Sequence, residues 1–176
     1  MLALLAALTG CSAPAASAAP PAETVIQPLR YAIAGDVAFR SEVRAILDAG
    51  WTSELVVLAE SGPIDFYIWL ADSTETNRCG IPACSYGNMI AIDTDRWLNG
   101  RHNKPPDMIA PVWRRFVINH EVGHQLGIPD DAGPCSVMNP EVCSGEWPIT
   151  PDDYARAWAQ DNLAARTPGN VGNARA

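Results

Sequence analysis

The sequence predicts an α+β domain in which a twisted mixed sheet of about four to five strands packs on one central helix. Three observations point there. Short apolar runs recur through the first half of the chain, some alternating and some continuous. One longer segment, Pro111 to Leu126, carries apolar residues at helical spacing and is closed by Gly127. The chain shows no internal repeat at solenoid spacing, and its 176 residues suffice for one core rather than two.

The elements follow in order. LRYAIA, from Leu29, alternates like a strand. Asp36 is placed to cap a helix bearing Val37, Val43, Ile46 and Leu47, and Gly50 stops it. LVVLA (Leu55 to Ala59) and IDFYIWL (Ile64 to Leu70) read as strands separated by a Ser61-Gly62-Pro63 turn. Ala71 to Gly87 is polar, and MIAID (Met89 to Asp93) is a further short strand. Pro105 and Pro106 mark a loop before the Pro111 helix. A last helix is signalled by Thr150 as cap, Pro151 in the first turn, and Asp152 and Asp153 beside the positive helix end.

Charge and cysteine usage narrow the class. A formal net charge of −8, with no cluster of Lys and Arg, excludes a phosphate-neutralising nucleic-acid surface. The first ten residues, MLALLAALTG, read as an export signal. Residues 11–28, rich in Ala, Pro and Ser, read as a flexible tether, 29–165 as the domain, and 166–176 as a disordered tail. Leu8-Thr9-Gly10-Cys11 resembles the lipobox of bacterial lipoproteins, which implies lipidation of Cys11 and a chain anchored on the outer side of the cell membrane, or else secreted. With Cys11 set aside, Cys79, Cys84, Cys135 and Cys143 form an even set, the pattern of two disulfides in an exported chain. Three pairings are open. The short spacings favour Cys79 with Cys84 and Cys135 with Cys143, and they suit a four-thiolate zinc site poorly.

The chemistry lies in HEVGHQLGIPD, residues 120–130. Side chains four apart share one helix face, so His120 and His124 can direct neutral imidazoles at one Zn2+ ion, at bonds of about 2.0–2.1 Å. Glu121, about 100° further round the helix, reaches a water on that ion without being a ligand, which is the place of a general base. Ile118, Val122 and Leu126 form a separate apolar stripe for the sheet, and Gly123 leaves room for a close approach.

The same string resembles the elongated metzincin motif HExxHxxGxxH/D, in which the glycine bends the chain so that the eleventh position supplies a third ligand. Here the glycine is Gly127 and that position is Asp130, similar to the small secreted proteases of the snapalysin type. Asp131 or a folded-back His102 are the alternative third ligands. The resemblance also implies that Met138, in Ser136-Val137-Met138-Asn139-Pro140, forms a turn beneath the metal. VWRRFVINHEVGH, CSVMNP, a second Cys and Trp147-Pro148 together resemble a family of small secreted bacterial proteins with a domain of unknown function and a metzincin-like core, over roughly Leu29 to Trp147. In that family a histidine tends to occupy the third-ligand position, so Asp130 is a departure that bears on metal affinity.

The resemblance implies a metzincin-like zinc endopeptidase with a peptide or protein substrate, working as a monomer through a zinc-activated water and Glu121. It places substrate along an edge strand, with residues near Tyr86 to Ile90 as the edge and Tyr154 as a candidate hydrogen-bond donor to the oxyanion. Two other readings stand beside it. One is a non-catalytic zinc-binding envelope lipoprotein that retains the peptidase fold, and the other is a zinc hydrolase acting on cell-wall peptide cross-links.

Overall fold

The structure, a computed structural model, describes residues 27–77, 83–100, 109–130, 136–139 and 148–159. It is α+β, with one mixed sheet of five strands and several helices. The strands are β1 (Leu29–Ala34), β2 (Val56–Leu58), β3 (Phe66–Ala71), β4 (Ala83–Tyr86) and β5 (Met89–Asp93), in spatial order β2-β1-β3-β5-β4. All pairs are parallel except β4 with β5.

Local chemistry accounts for these elements. β1 leads into α1 (Val37–Ala49), whose first turn is capped by Asp36 Oδ1 accepting from the Phe39 N–H at 2.8 Å. Phe39, Val43 and Leu47 recur every fourth residue and are buried, so α1 lies along the sheet and returns the chain for a parallel strand. The link from β2 to β3 is short, and register explains how it can be. β2 pairs with the first half of β1 (Leu29 with Val56) and β3 with the second half (Ala34 with Trp69), so residues 59–65 need only cross β1 near Tyr31. Asp65 seals that crossing by accepting from the Arg30 N–H at 2.7 Å.

The sequence expectations missed three elements. Two are short helices at the ends of β3 and β5, α2 (Ser73–Thr76) and α3 (Thr94–Asn99), capped by Asp72 and Asp93. The third is β4, inside the stretch read as merely polar. It joins β5 through a two-residue turn at Gly87-Asn88, where Gly87 has φ +56°, the region a tight hairpin demands. The expected edge therefore needs correcting: Met89 and Ile90 lie on β5, paired on both sides, and the edge itself is Ala83–Tyr86.

Register sends Tyr31, Phe66, Ile68, Ile90 and Ile92 to one face, where they are buried with residues of α1 and of α4 (Ala110–Gln125). Each such side chain contributes about 1.5–3 kcal/mol on leaving water. The opposite face carries a smaller cluster of Ala71, Cys84 and Ala91 with Trp69 against it. The last helix, α5 (Pro151–Ala159), starts as expected, with Thr150 Oγ1 accepting from the Asp153 N–H at 3.2 Å and Asp153 Oδ2 accepting from the Thr150 N–H at 2.8 Å. No helix among the described residues is long and apolar enough to cross a membrane.

Candidate metal centre

Helix α4 carries the site, and its surroundings fix its rotation. Ile118, Val122 and Leu126 are fully buried, as their stripe predicts. Trp51 Nε1 donates to the Asn119 carbonyl at 3.0 Å, and Arg114 reaches both carboxylate oxygens of Glu42 on α1 at 3.0 Å. With the helix so held, His120 and His124 emerge one turn apart at the same spot, ring centroids 4.6 Å apart and planes at 78°.

Each imidazole is oriented by a backbone carbonyl. His120 Nδ1 lies 2.9 Å from the Val137 oxygen, and His124 Nδ1 lies 2.9 Å from the Ile128 oxygen. A carbonyl can only accept, so both Nδ1 atoms carry a hydrogen, and in the neutral rings both Nε2 atoms present lone pairs. Those two lone-pair nitrogens stand 3.2 Å apart, with Asp130 Oδ1 at 3.4 Å from one and 3.5 Å from the other. In the neutral rings these are three converging acceptors. A cation at their centre turns that mutual repulsion into attraction.

Edges of 3.2–3.5 Å let one ion reach all three atoms at ordinary metal–ligand distances: bonds of about 2.0–2.1 Å in a tetrahedron give about 3.3–3.4 Å, and octahedral bonds of about 2.3 Å give about 3.3 Å as well. Two imidazoles and one carboxylate are also a donor set that zinc accepts. No other trio of His, Cys, Asp or Glu side chains converges in this way among the described residues.

Asp130 arrives because α4 ends as it does. Leu126 is the C-cap, and Gly127, at φ +88°, donates to the His124 carbonyl at 2.9 Å while Ile128 donates to the Gly123 carbonyl at 3.0 Å. This is a Schellman ending, which sends Ile128 into the core and turns Pro129-Asp130 back over the histidines. Gly127→Ala is expected to destabilise the protein by about 1–2 kcal/mol through left-handed strain, and to weaken metal binding as Asp130 shifts. Denaturant unfolding and zinc titration check the two effects.

Beneath the helix, Met138 is fully buried against Gly123, close enough that a Cβ there would overlap its sulfur. The turn holding it is closed by Ser136, whose Oγ accepts from the Met138 N–H at 3.1 Å and whose carbonyl accepts from Asn139 at 3.1 Å. The segment thus does two things: Met138 fills the space under the histidine turn, and Val137 orients His120.

Glu121 is 3 % exposed and lies on the side of α4 that faces the edge strand, near Ser85. Burial first, then the Asp130 charge, pushes its carboxyl up to about 8, and the Ser85 N–H pulls the other way. A cation on the three ligand atoms would favour the carboxylate form.

Of the other predicted site residues, Cys84 is buried in β4 and disulfide-bonded. Cys79, Cys135 and Cys143, the lipidation candidate Cys11, and the alternative ligands Asp131 and His102 lie outside the described residues. Tyr154 is a correction. Its hydroxyl donates to the Gly50 carbonyl at 2.6 Å and its ring packs edge-on against Trp51, so it is committed to tying α5 to the end of α1 rather than to an oxyanion. Sequence reasoning missed Ser85 and Gln125, which link β4 to α4. The Gly87-Asn88 turn was the signal that could have revealed that strand.

Residues 23–139 match a family described as protein of unknown function (DUF3152), a span that includes His120, Glu121, His124 and Asp130. No curated protein matches the chain.

Proposed function

The chain belongs to the DUF3152 family, a membership that assigns no chemistry, and from the site itself we propose that the protein is a zinc-dependent endopeptidase of metzincin type. The observation that carries this reading is the triangle of His120 Nε2, His124 Nε2 and Asp130 Oδ1, spaced to hold one ion, with a buried carboxyl one residue away on the same helix. The Gly127 turn, Met138 beneath the helix and an antiparallel edge strand beside Glu121 support it as well.

Zinc, when bound, supplies Lewis acidity toward a water and a carbonyl oxygen at the position the three protein ligands leave open. Glu121 takes the proton from the attacking water and hands it to the leaving amine, a role supported by its buried carboxyl one residue from His120 on the same helix. Val137 and Ile128 keep both histidines in the tautomer that presents Nε2. β4, at the sheet margin, offers backbone groups against which an extended peptide can lie. The apolar leader and the Ala/Pro/Ser tether support a place at the cell envelope, lipid-anchored or secreted. Under the rival non-catalytic reading, Glu121 has no task at the metal.

The test combines metal analysis with proteolysis. The purified chain is expected to carry close to one zinc per molecule and to cleave an unfolded protein, to stop when chelator strips the metal, and to resume when zinc returns. A protein without zinc, or proteolysis indifferent to chelator, overturns the proposal. Stoichiometric zinc with no cleavage supports the non-catalytic reading.

A further inference from the structure

Helix α4 carries a second polar stripe, away from the histidines. Arg115 and Asn119 stand four apart, which puts their Cβ atoms about 5–6 Å from one another. Both line a cavity of about 270 Å³ whose other walls are Gly50 at the end of α1 and Pro148, Ile149 and Tyr154 before and on α5. None of the three convergent ligands, His120, His124 and Asp130, borders it.

Asn119 is 5 % exposed and half satisfied. Its Nδ2 donates to the Arg115 carbonyl at 3.0 Å, and because that oxygen accepts only, the bond fixes which end of the amide is which. Oδ1 is left at the cavity wall, buried and without a hydrogen-bond partner. A buried acceptor left unmade is unfavourable. Gly50 leaves the space in front of it open, since a Cβ there would overlap Oδ1. At the outer end of the stripe Arg115 is exposed, and its guanidinium has no ion-pair partner among the described residues. The Tyr154 hydroxyl is already committed to the Gly50 carbonyl, so its ring, with Ile149 and Pro148, supplies an apolar wall.

The cavity thus offers one inner acceptor, one outer cation and an apolar side. A single water takes about 30 Å³, so the space holds more than a bridging solvent molecule. An inorganic anion would satisfy Arg115 alone, and a neutral amide Asn119 alone. A ligand that meets both needs an N–H and an anionic group on neighbouring atoms. We propose that this cavity binds an N-acylated α-amino acid, the form in which every peptide chain ends: its amide N–H donates to Asn119 Oδ1, its carboxylate pairs with Arg115, and its side chain lies against Ile149 and the Tyr154 ring. The inference is independent of the peptidase reading, because it uses neither the metal ligands nor Glu121.

The test titrates N-acetyl-L-alanine into the isotope-labelled, zinc-loaded full chain and follows the side-chain NH2 signal of Asn119. A saturable shift is expected, with the same affinity after chelator has removed the metal. N-acetyl-L-alaninamide lacks the negative charge, and 2-acetoxypropanoate has an ester oxygen in place of the N–H. Each is expected to bind about tenfold more weakly, the scale of one hydrogen bond or ion contact. Arg115→Gln alters an exposed side chain, so the fold is retained. That variant is expected to lose about tenfold in affinity for the acid and nothing for the amide, since only the acid has a charge to pair.

No saturable shift at Asn119 overturns the inference, as does equal binding of acid and amide, of N–H and ester, or of acid to wild type and Arg115→Gln. Binding that disappears with chelator places the ligand on the metal instead and ends it as well. Acetate binding as tightly as N-acetyl-L-alanine reduces the cavity to an anion contact at Arg115 and has the same force.

Discussion

Glu121→Gln is expected to lower peptide hydrolysis by a factor of about 10²–10⁴, the usual worth of a positioned general base, while zinc stays bound at the wild-type level. The substitution is nearly isosteric, which matters at a side chain 3 % exposed. The amide keeps the shape of the side chain and cannot take up the proton, so only proton transfer is lost. Glu121 is not one of the three convergent ligands, so metal content should not follow activity. Elemental analysis beside the rate assay checks both halves, and a variant as active as wild type removes Glu121 from the role of base.

The same variant has a signature in the metal-free protein. A carboxyl whose pKa rises on folding binds more protons in the native state than in the unfolded one between its ordinary value of 4.5 and about 8. Stability contributed by the protonated form is therefore present at low pH and lost as pH rises through that window. Metal-free wild type is expected to lose melting temperature relative to Glu121→Gln as pH is raised from about 5 to 8, read by thermal unfolding in chelator.

Asp130→Ala is the second large effect: zinc is expected to fall well below one per chain on dialysis, and proteolysis to fall with it. Two imidazoles from one helix turn do not enclose an ion, and the third corner is an oxygen 3.4–3.5 Å from both. Asp130 has its side chain 68 % exposed and lies beyond the helix end, so the substitution removes a ligand without opening a core cavity. Unfolding of the metal-free variant should match metal-free wild type. Retention of full zinc would transfer the third ligand to Asp131 or His102.

What the sequence made legible follows from the range of the interactions involved. His120, Glu121 and His124 are fixed by helical periodicity alone, and the bend at Gly127 needs only the chirality of the backbone; both are local, so both were readable. Met138 was reached by its place after the motif. β4 was not: four residues, Ala-Cys-Ser-Tyr, are too short to show alternation, and their strand character comes from β5 across the turn and from α4 beside them. Ser85 and Gln125 are forty residues apart in sequence, and no local pattern announces such a partnership. The Tyr154 assignment failed for the same reason, since its partner, the Gly50 carbonyl, lies 104 residues away.

The order in which the chain leaves the ribosome gives the Val137 carbonyl a further meaning. His120 takes its orientation from Val137, whose own N–H is held by the Pro148 carbonyl at 2.9 Å. A nascent chain that ends between residues 130 and 137 holds the whole HExxH signature and Asp130 but not the carbonyl that orients His120. The donor triangle is therefore completed by residues translated after every one of its ligands.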